Sequence, residues 1–156
     1  MKPYTVLAAP VVKGPLQGTD EFIRQVVKRA SGSLWNNGSW IIRDIRTQPG
    51  TISNHARGLA IDFSYRKMTG KGIVNGRATA LAFVNKLLEN ADTLGVQLVI
   101  DYHENRSWRS DRATWIKGKW TGGDWFHIEI SAAMANSDTL VTQAFLTVFK
   151  DMPTTV

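Results

Sequence analysis

A chain of 156 residues with 43% hydrophobic content is long enough to fold around one core, so a single domain over residues 1–156 is expected, with no linker and no separate second domain. The absence of cysteine excludes a disulfide framework and any thiolate metal site, leaving imidazole and carboxylate as the groups that would hold a metal. A formal charge of +6 and a pI near 9.8 favour polyanionic partners: nucleic acid, an anionic membrane surface, or a bacterial wall with its acidic polymers.

The chain opens with "MKPYTVLAAPVVKGP", whose apolar stretch is short and interrupted by proline, with one lysine ahead of it. It cannot span a bilayer and reads poorly as an export signal, so a soluble cytoplasmic chain without stable membrane insertion is expected. "TDEFIRQVVKRASG" predicts a helix capped by Thr19 or Asp20, with Phe22, Ile23, Val26, Val27 and Ala30 inward and Gly32 as its stop. Strands are expected at "WIIRDIRT" (40–47) and "LAIDFS" (59–64). "RATALAFVNKLLENADTLG" spaces Leu81, Val84, Leu87, Leu88, Ala91 and Leu94 as the longest helix, ending at Gly95. Strands follow at "VQLVIDY" and "WFHIEIS", and "SDTLVTQAFLTVFKDM" predicts a last helix capped by Ser137, carrying Leu140, Ala144, Phe145 and Val148 inward. Helices and strands mix without regular alternation. The expected fold is therefore α+β: a small central antiparallel sheet flanked by about three helices.

The chain has three histidines, His55, His103 and His127. His55 precedes Asp62 across "SNHARGLAIDFS", where a loop runs into a predicted strand, and His127 lies in the last predicted strand. From spacing alone, His55 and Asp62 are better explained as a capping or turn pair. A loop and strand can also bring them to one point, with His127 as a third vertex. Two imidazoles and a carboxylate form the open tetrahedral set that zinc uses in hydrolysis. Gly58 and Ala60 suit close backbone passage or a positive φ. In "GGDWFHIEIS", Asp124 stands three residues before His127, where a carboxylate near a metal could accept a proton from attacking water, or could simply form a turn after two glycines.

Ser53, His55, Gly58, Ala60 and Asp62 stand in a Ser-x-His-x-x-Gly-x-Ala-x-Asp arrangement. Together with Asp124-x-x-His127, this resembles the signature of zinc peptidases that cut bacterial cell-wall peptides: D-alanyl-D-alanine carboxypeptidases, D,D-dipeptidases and phage L-alanyl-D-glutamate endopeptidases. "TQPGTISNH" is also similar to that family's approach to its first histidine. The resemblance implies that His55, Asp62 and His127 bind Zn2+, that Asp124 is the catalytic base, and that an upstream arginine holds a substrate carboxylate or the oxyanion. Asp124 and Phe126 replace the Glu and Trp usual in the carboxypeptidase branch, so the phage endolysin branch is the closer likeness.

Arg43 and Arg46 fall on the predicted 40–47 strand, and Arg46 is taken for the arginine role, with a solvated strand face as the alternative. Ser53 is expected either to contact substrate or to shape the turn. Glu129 shares a strand face with His127 and could orient an imidazole or lie in a surface ion pair. His103 is read as a loop residue, since a fourth protein ligand would close the catalytic position. Trp108, Trp115, Trp120 and Trp125 interleave with Arg106, Arg109, Arg112, Lys117 and Lys119. Most of these suit an aromatic core with a basic rim, and Trp125 is expected at the cleft border in contact with substrate.

Three functions remain open at this point: a zinc peptidase of peptidoglycan, a non-catalytic zinc-containing wall-binding module, and a basic nucleic-acid-binding domain. The third leaves the His-Asp-His set unused and shows no familiar motif, so no nucleic-acid partner is expected. The reading favoured is a monomeric zinc metallopeptidase that hydrolyses the L-Ala-D-Glu bond of peptidoglycan peptides, held in the host bacterial cytoplasm until lysis. D,D-carboxypeptidase or D,D-endopeptidase activity is the alternative within the same family.

Overall fold

Buried residues recur at helical spacing from Phe22 through Val26 to Ala30, and this stripe builds the first helix, α1 (Gln17–Arg29). The computed structural model describes residues 1–68, 70–71, 76–120 and 122–150. After α1 come β1 (Trp35–Gly38), β2 (Asp44–Ile45), β3 (Gln48–Ile52), a 3-10 helix (Asn54–Arg57) and β4 (Ala60–Ser64). Then follow α2 (Gly76–Glu89), α3 (Ala91–Leu94), β5 (Val96–Asp101), β6 (Arg106–Arg109), β7 (Trp115–Lys117), β8 (Trp125–Ile130), α4 (Ala132–Ala135) and α5 (Asp138–Val148). The fold is α+β, as expected.

Six strands form one antiparallel sheet in the order β1-β4-β8-β5-β6-β7, while β2 and β3 pair separately as a hairpin. Period-two alternation gives the large sheet two unlike faces. Ile61, Phe63, Val99, Phe126 and Ile128 point to one side and join Phe22, Val26, Val84, Leu87 and Phe145 from the helices in a single buried cluster. Phe22 meets Phe145 edge-on at 5.1 Å, tying α1 to α5. Asp62, Trp125, His127 and Glu129 alternate to the other side.

Several expectations need correction. The 40–47 segment is a strand only at Asp44–Ile45, because Ile41 and Ile42 are 49% and 58% exposed and have no buried surface to face. Arg46 consequently sits in the exposed β2–β3 turn and not on a strand. Helix α1 starts two residues before Thr19, at Gln17, so neither Thr19 nor Asp20 caps it; the buried Thr19 hydroxyl donates to the Gly58 carbonyl instead (2.5 Å). Val27 is largely exposed. The predicted 77–95 helix breaks at Asn90 into α2 and α3. Ser137 does cap α5, accepting from Leu140 N (3.2 Å), but Leu140 is 46% exposed and Val141 takes the inward position. The predicted end of that helix at residues 151–152 lies outside the described residues. Strands β1, β3, β6 and β7 were not foreseen.

Candidate metal centre

The β4–β8 register sets Asp62 directly opposite His127, and the 3-10 helix ahead of β4 swings His55 over the same point. Two local features hold that short helix. The Ser53 hydroxyl accepts from His55 N (3.4 Å), and Gly58 ends the turn at φ 71°, a left-handed conformation that glycine adopts without strain. A Cβ on Gly58 would stand 2.8 Å from Leu16 Cγ, so its smallness serves packing against the segment before α1. The Asp62 carboxylate receives both rings: His127 Nδ1 lies 2.9 Å from Oδ1 and His55 Nε2 lies 3.4 Å from Oδ2. One ligand atom from each of these residues lies within 4.8 Å of the other two.

Whether this group suits a metal depends on the atoms behind it. His55 Nδ1 is 2.8 Å from the Ser39 carbonyl, which can only accept, so this nitrogen carries the proton and Nε2 is left for a cation. His127 Nε2 donates to Glu129 Oε1 (3.0 Å), leaving Nδ1 turned to Asp62. Glu129 also accepts from Asn54 Nδ2 at Oε1 (2.8 Å) and from the Tyr4 hydroxyl at Oε2 (2.6 Å). Each imidazole thus has its rear nitrogen fixed by an acceptor, the usual support for a metal-binding histidine. The residues fit a divalent cation with a preference for nitrogen and oxygen donors, and zinc is among those that qualify.

The electrostatics agree. Burial alone would lower the His127 pKa, but hydrogen bonds to Asp62 and Glu129, reinforced by their charges, push it up to about 10. Burial would raise Asp62 and Glu129; the hydrogen bond from His127, with the neighbouring His55 ring for Asp62 and with Asn54 and Tyr4 for Glu129, holds both below their ordinary values. Burial and the neighbouring Glu129 charge push the Tyr4 hydroxyl up. The His127 ring thus lies between two carboxylates, Asp62 at Nδ1 and Glu129 at Nε2.

The remaining sequence candidates are distributed around this group. Asp124, immediately before β8, lies outside the three-residue cluster; its carboxylate is 3.5 Å from Arg66 Nε, and its carbonyl accepts from Tyr65 N and the Ser64 hydroxyl. Trp125 borders the site face, with its ring 4.8 Å from that of Tyr102. Tyr102 was missed, although continuing the alternation of β5 by one step would have found it. Burial, the Asp62 charge and the Glu129 charge raise its hydroxyl to about 12, against the opposing charges of Arg43 and Arg46. Ser53 is only 5% exposed and acts as the turn cap. His103 is an exposed loop residue beside Glu104 (3.2 Å). Trp108 is core, and Arg106 lies 4.4 Å over the Trp115 ring, as a core with a basic rim requires. Ser39, Asn54 and Tyr4 were also missed; Tyr4 is 125 residues from Glu129 and carries no local signal.

No helix among the described residues is long and apolar enough to cross a membrane. The chain matches no family model, no curated protein and no solved structure. A buried His55-Asp62-His127 group able to hold a metal ion is what its own geometry provides.

Proposed function

We propose that the protein is a zinc-dependent peptidase of bacterial cell-wall peptides, acting on the L-Ala-D-Glu bond. The observation that carries this reading is the convergence of His55, Asp62 and His127 with both rear nitrogens already bonded, on a sheet face bordered by aromatic side chains. These are the residues of the two motifs that resemble the cell-wall peptidases.

A bound zinc would supply Lewis acidity and an acidified water. The chain's own groups do the rest. Asp124, in the position of the base, takes a proton from the attacking water onto a carboxylate oxygen and passes it to the leaving amide nitrogen. Its contact with Arg66 is long and half-exposed, so it opens at little cost when substrate arrives. Arg46, on the hairpin tip, binds an acidic group of the peptide or the developing oxyanion. Trp125 packs against the peptide beside Tyr102. Ser53 supports the site by fixing the backbone of His55.

The test is mass spectrometry of fragments released from purified peptidoglycan by the zinc-loaded protein, beside Asp124→Ala and His127→Ala. Asp124→Ala is expected to keep zinc and lose about 100-fold or more in turnover, whereas His127→Ala loses both. Fragment masses separate L-Ala-D-Glu from D,D cleavage. Zinc binding with no fragments from several wall types would reject the enzyme. That result would favour a non-catalytic wall-binding module.

A further inference from the structure

We infer that the N-terminal segment Lys2–Thr5 is a working part of the metal centre, with Tyr4 a positioning residue that fixes the His127 imidazole through Glu129. The inference rests on the reading that the His-Asp-His group binds a metal, but not on any peptidase activity.

Glu129 is 4% exposed, and its two oxygens have separate duties. Oε1 accepts from His127 Nε2 and Asn54 Nδ2; Oε2 accepts from the Tyr4 hydroxyl at 2.6 Å. Asn54 Nδ2 also reaches the Tyr4 hydroxyl (3.3 Å), which closes a ring of contacts around the carboxylate. Were that hydroxyl removed, Oε2 would be left in a buried place without its donor, and the carboxylate would rotate to seek another. Any rotation moves Oε1, and with it the ring whose Nδ1 must face Asp62.

The segment bearing Tyr4 is fastened as this duty requires. Thr5 N donates to Gln97 Oε1 (2.7 Å), Gln97 Nε2 donates to the Pro3 carbonyl (3.2 Å), and Lys2 Nζ donates to the Asp92 carbonyl (2.8 Å). The Arg109 guanidinium lies 5.0 Å over the Tyr4 ring. Gln97, Asp92 and the buried Val6 hold the segment independently of the Tyr4 hydroxyl, which is directed instead to Glu129 and Asn54.

The experiment measures zinc affinity by competition with a chromophoric chelator for the unaltered protein, Tyr4→Phe and Gln97→Ala. Far-ultraviolet circular dichroism checks the fold, and the visible spectrum of the cobalt-loaded protein reports ligand geometry. Tyr4→Phe is expected to raise the zinc Kd by about tenfold and to shift the cobalt bands with the fold unchanged. Gln97→Ala, which loosens the segment but keeps the hydroxyl, changes Kd in the same direction and stands in should Tyr4→Phe not fold. A Tyr4→Phe protein with the same Kd and cobalt spectrum as the unaltered chain overturns the inference and leaves the metal reading intact. An unaltered protein that binds no zinc overturns both.

Discussion

The Asp62 carboxylate faces two imidazoles, and His127 in turn lies between two carboxylates, so a proton and a metal would compete for one place. The sign of the pH dependence follows. His127 is raised to about 10 in the fold and stands near 6.5 when unfolded. Its contribution to the stability of the metal-free protein is therefore complete below about pH 6.5 and is lost as pH rises through about 10. Metal requires the deprotonated ring, so zinc stabilises more strongly as pH rises over the same window. Melting curves at pH 6 and pH 9 check this: in chelator the margin of the unaltered protein over His127→Gln shrinks at pH 9, while the added stability from zinc grows. At this scale the sequence was informative where chemistry is scarce. With three histidines and no cysteine, few ligand sets were possible, and His55, Asp62 and His127 were among them. Tyr4 and Ser39 escaped because a phenol and a backbone carbonyl distant in sequence become partners only through tertiary packing.

Elements with one buried stripe were legible. The Phe22-Val26-Ala30 and Val84-Leu87-Ala91 spacings mark α1, α2 and α3, and alternation marks β4, β5 and β8. The 40–47 segment misled because an apolar run signals burial without saying what would cover it, and Ile41 and Ile42 are left outward. Strands β6 and β7 hid among charges, since Arg106 and Arg109 occupy a strand whose buried residues are Ser107 and Trp108. The 3-10 helix that carries His55 ends on a glycine at positive φ. Gly58→Ala places a Cβ at positive φ and against Leu16, and is expected to cost about 1–3 kcal/mol with a matching fall in melting temperature. Zinc affinity should fall with it, as His55 shifts. A variant melting like the unaltered protein would show that the turn relaxes freely.

Across the whole molecule, helices cover one face of the sheet and the candidate centre occupies the other, so core and site draw on alternate residues of the same strands. This separation explains why patterning revealed both together. A bound metal would link the 3-10 helix, β4 and β8, including residues 65 apart in sequence. A ligand that binds only the folded form stabilises it by mass action, about 2.7 kcal/mol at a free concentration 100 times Kd. Titration calorimetry with scanning calorimetry tests this: zinc raises the melting temperature in proportion to the logarithm of its concentration, chelator reverses it, and His127→Ala shows neither response.

The position of β8 also bears on how the protein comes to be folded. It is the last strand among the described residues, yet it lies inside the sheet, between β4 and β5. During synthesis β4 has no neighbour on that side, and neither has β5, until Ile130 has left the ribosome; what precedes is an incomplete sheet with open edges. Pairings this distant along the chain close slowly compared with local ones. The ligand set is therefore assembled by the same late step that completes the sheet, and a nascent or truncated chain ending before Phe126 would lack both.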